Sequence, residues 1–426
     1  MKRLLIFLLA AALLCGCGAP SVPAAAPLPE PEPPAVQQPE EASEPAPKIV
    51  GTFVDQGGVL PAGAELAMMA YMDLYYGSLA ALELCPQEEL TALFAPEAAL
   101  QAVGNHTVWD YLIQTRQLQN TDLSMTDCRY TLTLGRVEEL ETGAIRFMVE
   151  ENSLQHFAAH PEVDSEVMGV RHIFEAVPGP DGWYLTVHMQ LDSLYFSLFG
   201  DMDEGEINEK AFRDPKFQAV NEEYFTDRLN TLLAAAEADF DARWEGETAQ
   251  LPEAVHPYDR QAVVDYAHLH AQQRSEDWAD YGRYGGNCQN YASQCLLAGG
   301  IPMDISGNAV WKWYGTTPNG YATPYGRSAS WSSVESFRDY ARRNRGYGLA
   351  ALVDAPYYSG QPGDLLEMGL GDAWKHTVII TGLVADSAGN TVDYLVDSNT
   401  ADLRNYPAGA YSYTKQSLVR IAGWNG

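Results

Sequence analysis

Gly285-Gly286-Asn287-Cys288-Gln289-Asn290-Tyr291-Ala292-Ser293-Gln294-Cys295-Leu296-Leu297-Ala298-Gly299-Gly300 is the stretch on which the fold turns. A glycine-rich loop becomes a helix over Gln289 to Ala298, and Gly299-Gly300 stops it. Asn287 stands where a helix N-cap is expected. Cys288 therefore begins a helix, where unpaired N–H groups and the helix dipole stabilise a thiolate. Its own N–H can face a developing oxyanion. The plain alternative is a buried structural cysteine, which rarely follows Gly-Gly-Asn. Cys295 lies on the same helix in an apolar setting and reads as core.

A thiol nucleophile needs a base. His376 is the only histidine after Cys288. It sits in Trp374-Lys375-His376-Thr377-Val378-Ile379-Ile380-Thr381-Gly382, a buried strand with histidine at its start, just after the turn Gly360-Gln361-Pro362-Gly363-Asp364. A cysteine on a helix and a distant histidine on a sheet is the arrangement of papain-like sites. Hairpin counting suggests the third residue. The His376 strand ends near Ala385, Asp386 to Asn390 turn, and Thr391 to Asp397 return. Folding about Ala388 sets His376 opposite residues near 399 and 400. Asn399 is the first choice to hold the imidazole. Asp397 and Asp402 stay open, because a register slip of one or two residues moves the partner. Asn287 or Tyr284 would complete the oxyanion site.

From Tyr258 to its C-terminus the chain resembles the putative amidase domain family of bacterial cell-surface proteins, distant relatives of the NlpC-type and CHAP cysteine amidases. The resemblance rests on the opening Tyr258-Asp259-Arg260, the Cys288 stretch, Ser330-Trp331-Ser332, Gln361-Pro362-Gly363-Asp364, His376-Thr377-Val378 and Ser398-Asn399-Thr400. Members often carry Asp before the cysteine, where this chain has Asn287. The resemblance implies a cysteine hydrolase acting on amide bonds, with cell-wall peptides or muramyl amides as substrate class and no cofactor or metal. A catalytically inactive binding protein and a transglutaminase-like acyl transferase are the rival readings. Trp311, Trp313, Tyr314 and Trp331 are candidates for an aromatic cleft or for core. His268 and His270 point apart on a helix and make no metal site.

Upstream, Ala64 to Leu84, Gln87 to Leu100 and Trp109 to Gln117 read as helices. Met125 to Arg136, Ala144 to Glu151, Met168 to Val177 and Trp183 to Asp192 read as strands, with a strong turn at Pro178 to Gly182. Helices followed by a curved antiparallel sheet resemble the SnoaL-like and nuclear-transport-factor cones. No catalytic constellation is evident here, and His156 and His160 read as surface histidines. Residues 216–244 read as one long helix that connects or clamps the two parts.

The expected class is α+β, organised as 1–17 signal peptide, 18–49 Pro/Ala/Glu-rich spacer, 50–200 α+β domain, 201–257 connecting helix and linker, and 258–426 amidase domain. Lys2 and Arg3 precede an apolar run from Leu4 to Leu14, too short to span a bilayer. Leu14-Cys15-Gly16-Cys17 resembles the lipobox of bacterial lipoproteins, with Cys17 at the lipidated position because small Gly16 precedes it. An ordinary secretory signal is the alternative. The reading implies attachment to the outer membrane face, with the membrane contacted only through the lipid. A net charge of -31 over 426 residues excludes nucleic acid as a partner. Six cysteines make no disulfide framework, and the oligomeric state is not legible.

Overall fold

Strand alternation builds the first part of the chain. β1 (Lys48–Val54) lies parallel to β2 (Met125–Glu139), and β2 turns its Met125, Cys128, Tyr130 and Leu132 inward. β3 (Ile145–Phe157), β4 (Ser165–Gly179) and β5 (Gly182–Gln190) follow antiparallel. The computed structural model describes residues 46–199, 221–244, 250–282, 286–305, 310–313 and 327–426. The signal segment with Cys17, almost all of the spacer, Tyr284 and Tyr314 lie outside the described residues.

Three helices pack on this sheet. α1 (Ala62–Ala81) ends at Leu82, which takes the left-handed conformation. The expected helix from Gln87 to Leu100 is divided. α2 (Gln87–Thr91) stops early, a single turn follows at Pro96–Ala98, and α3 (Ala99–Gln117) starts afresh. Pro96 explains the break: it lacks an N–H and disfavours helical geometry in Ala95. α4 (Ser193–Phe199) closes the unit.

In the last part, α5 (Glu222–Trp244), α6 (Arg260–His270), α7 (Cys288–Ala298), α8 (Ala329–Ser332) and α9 (Val334–Arg343) accompany six strands. These are β6 (Gly348–Ala355), β7 (Leu365–Leu370), β8 (Ala373–Ala385), β9 (Thr391–Ser398), β10 (Asp402–Pro407) and β11 (Lys415–Asn425). Neighbouring residues of these strands enter different cores. Leu365 and Ile379 pack with α6 and α7, while Leu366, Val378 and Ile380 pack on the opposite face, as the period of two requires.

The architecture is α+β with one large mixed sheet, ordered β1-β2-β3-β4-β10-β9-β8-β7-β11-β6, with β5 on β4. β4 is the seam, where Glu166 to Met168 pair with Asp402 to Arg404 of β10. Leu403, Tyr406 and Ala410 belong to the same core as α1 and α3, so the last part of the chain closes the interior of the first. Gln272 donates to Glu166 at 2.7 Å and Ser165 to the Asn405 carbonyl at 2.8 Å across this seam. α5 clamps it, burying Phe225 beside Phe199 at one end. At its other end Arg243 lies 4.5 Å over the Tyr357 ring and Trp244 stacks on Tyr358. Residues 46–426 cluster as one compact unit. Among the described residues no helix is long and apolar enough to cross a membrane.

Candidate active site

Gly286 has φ +126°, a conformation that side chains disfavour, and it leads into α7 with Cys288 as the first helical residue. Asn287 does not cap the helix with its side chain. Its Oδ1 accepts from the Tyr281 N–H at 3.0 Å and from Asn290 at 2.9 Å, and its Nδ2 donates to Asn399 at 2.9 Å. The capping role is lost because the amide is drawn into this buried network. The same bonds leave Asn287 as a fastener of the loop, with its Nδ2 on Asn399 rather than facing the thiol. The Asn287 N–H donates to Thr400 at 3.0 Å, and Thr377 donates to Gln289 at 2.9 Å. The start of α7 is thus pinned to β9 on one side and β8 on the other. Cys288 Sγ lies 4.0 Å from the carbonyl of Lys375, the neighbour of His376.

His376 is buried on β8, packed beside Tyr411 and Tyr413, whose ring centroids lie 5.6 and 5.7 Å away. Burial pushes the imidazole pKa down to about 4, so the ring is neutral at neutral pH. Cys288 and His376 line one cavity of about 550 Å³.

The hairpin register agrees with the count, since Ile379 pairs with Asp397 and places position 400 opposite His376. The expected third residue nevertheless lies elsewhere. Asn399 donates to the carbonyls of His270 at 3.1 Å and Ala271 at 2.6 Å and accepts from Asn287. Asn399 lies in the turn after β9 and serves the helix side, while His376 faces the tyrosines. Asp397 pairs with His268 at 2.7 Å and Asp402 with Arg274 at 2.8 Å. None of the three reaches the imidazole, and no hydrogen bond from a described side chain holds it. Packing by Tyr411 and Tyr413 orients the ring instead, and neither was singled out from the sequence.

Of the two readings of the aromatic residues, core holds for the three described tryptophans. Trp311 and Trp331 are fully buried and stacked 5.0 Å apart, with Trp313 beside them. Trp331 donates to Asn290 and Trp311 to Ser293, both at 2.9 Å, bracing α7 from behind. Cys295 is fully buried, and burial raises its thiol pKa well above the usual range. Two further motifs form one staple: Arg260 meets Asp364 at 2.9 Å, and Tyr258 donates to the Gly363 carbonyl at 3.2 Å. Gly363, at φ +89°, presses on Arg260 where a Cβ would stand 3.2 Å away.

The cavity continues into the first part of the chain, where a buried polar chain escaped the sequence reading. Tyr76 donates to Glu151, and the other Glu151 oxygen is 3.0 Å from His172 Nε2. His172 Nδ1 is 3.1 Å from His188 Nε2, and His188 Nδ1 is 2.6 Å from both Tyr71 and Asn105. Burial pushes the His188 pKa well down. His160 is buried too, unlike the surface histidine expected, whereas His156 pairs with Asp164 at 2.8 Å. The signal that could have found the chain is polarity at the inward positions Glu151, Ser153 and Gln155 of β3, which continues to Phe157 beyond the expected end. Among the described residues, no group of three His, Cys, Asp or Glu side chains could hold a metal ion.

The uncharacterized protein YhbB of Bacillus subtilis (strain 168) is 32% identical over 149 residues, which is 34% of this chain and 43% of that protein. The chain thus spans less than half of that relative's length. A solved structure, a putative aromatic ring hydroxylase from Novosphingobium aromaticivorans, matches 31% of this chain and 90% of its own at 13% identity. Its TM-score of 0.21 is too low to support a fold assignment. Residues 257–422, in the C-terminal part of the chain, match the family model described as a putative amidase domain.

Proposed function

We propose that the protein is a cysteine amidase in which Cys288 is the nucleophile and His376 the base. The observation that carries this reading is that Cys288, at a helix start, and His376, on the adjoining strand, line one cavity, both within the residues that match the amidase family. Cys288 Sγ attacks the amide carbonyl while His376 takes the thiol proton. The imidazolium returns that proton to the leaving amine, and water then cleaves the thioester. Burial disfavours a charged imidazole in the empty site, so proton transfer accompanies attack rather than preceding it. The Cys288 N–H is the donor proposed for the oxyanion.

On this reading residues 258–426 are a papain-like domain and residues 50–200 a SnoaL-like cone with an internal cavity. Lipid attachment through Cys17 would hold the protein on the extracellular face of the bacterial membrane, beside peptide amides of peptidoglycan as substrate. Amine release from purified peptidoglycan tests the proposal. Cys288→Ala should lower it by at least about 10³-fold with folding unchanged. Equal release by both proteins would overturn the reading.

A further inference from the structure

Arg116, in the last turn of α3, lines the same cavity and is 5% exposed. Its Nη2 donates to the Tyr406 hydroxyl at 3.1 Å. Its Nε and Nη1 are buried without a hydrogen-bond partner among the described residues. A buried guanidinium without a counter-ion is costly, and partnering its donors with an anion recovers much of that cost.

The carboxylates around the cavity are engaged elsewhere. Glu151 serves Tyr76 and His172. Asp192 accepts from Gln190 and from the Tyr195 N–H, and Asp402 pairs with Arg274. Glu150 is exposed, on the strand position facing Arg171. A second cavity-lining group is also unmatched, the buried Oε1 of Gln155, whose Nε2 is occupied by Ser153. Unmatched cationic donors and an unmatched amide acceptor in one cavity complement the last residue of a peptide, which offers a carboxylate and a backbone N–H. Tyr75, Leu79 and Leu112 wall the same space. At about 550 Å³ the cavity lies within the range of small-ligand pockets, roughly 300–1,000 Å³.

We propose that Arg116 and Gln155 form a subsite for the free C-terminal carboxylate of a short peptide, directing Cys288 to amides near a peptide's carboxyl end. This rests on Cys288 as the nucleophile, and it assigns the first part of the chain a share in substrate choice.

The test uses immobilised full-chain Cys288→Ala protein and a mixed-sequence tetrapeptide library, supplied once as free acids and once as C-terminal amides. Retained peptides are quantified by mass spectrometry. The acids should be retained at least tenfold over the amides, and adding Arg116→Gln should erase the difference while Arg116→Lys keeps part of it. Equal retention of acids and amides, retention of neither, or an unchanged preference in Arg116→Gln would overturn the subsite. The acid–amide comparison needs no change at Arg116, so misfolding of that variant does not obscure it. Binding is read without turnover, so failure here is distinct from failure of Cys288 to act in the amine-release assay.

Discussion

Around α7, buried polar side chains are tied to one another and to backbone. Asn287, Asn290 and Asn399 form one hydrogen-bonded set that joins α6, α7 and β9, and Trp331 and Ser293 extend it. Along β3, Glu151, Ser153 and Gln155 are buried too, yet Glu151 and Gln155 face a cavity and Gln155 keeps an unmatched oxygen. The contrast separates two uses of buried polarity. Where every group has a partner, the network sets geometry, here the placement of Cys288. Where groups stay unmatched beside a cavity, the interior is shaped for something that enters it.

Breaking a buried ion pair should have the largest effect. Arg338, buried under α9, donates to Glu367 on β7 and to Asp354, and it lies 3.9 Å over the Trp374 ring. Arg338→Met leaves Glu367 buried and uncompensated, and chemical denaturation should show a loss of about 3–5 kcal/mol. A loss under about 1 kcal/mol would show that this region is not held by its polar network.

The next effect is a pH dependence. His376 has a folded pKa of about 4, against roughly 6.5 when unfolded. Below pH 6.5 the unfolded chain takes up a proton that the native ring refuses, so its contribution is full above 6.5 and falls away toward pH 4, by about 3 kcal/mol. Glu367, Asp393 and Asp192 are raised by burial to about 8, 7 and 6 and act with the opposite sign. The measurement is therefore the difference in unfolding free energy between the protein and His376→Gln across that range. A flat difference would mean that His376 is not buried in solution.

Asn399→Ala should cost about 1–3 kcal/mol, because it orphans two buried carbonyls and the Asn287 amide. It should lower kcat without moving the acid limb of kcat/KM. A shifted limb would make Asn399 the partner of His376 after all. Smallest is Gln155→Leu, expected to change stability by less than about 1 kcal/mol, since it removes an unmatched acceptor. A large loss there would remove the distinction between the two regions.

Much was legible in the chain itself. Gly-Gly before Cys288 and Gly-Gly after Ala298 mark the ends of α7, because backbone freedom and helix termination are local properties. Turn residues and alternation placed β8, β9 and their register for the same reason. The partner of His376 was not legible: register tells which residues lie opposite, while the turn after β9 hands Asn399 to the carbonyls of His270 and Ala271. Nor was the cavity, because strands far apart in sequence create it. Glu151 looked like a strand end when it is an inward group facing open space, and Arg116 was not singled out, because the Tyr406 hydroxyl it meets comes from the far end of the chain. Local backbone preference set the elements, and only the packing of β10 against β4 decided which polar groups share an interior.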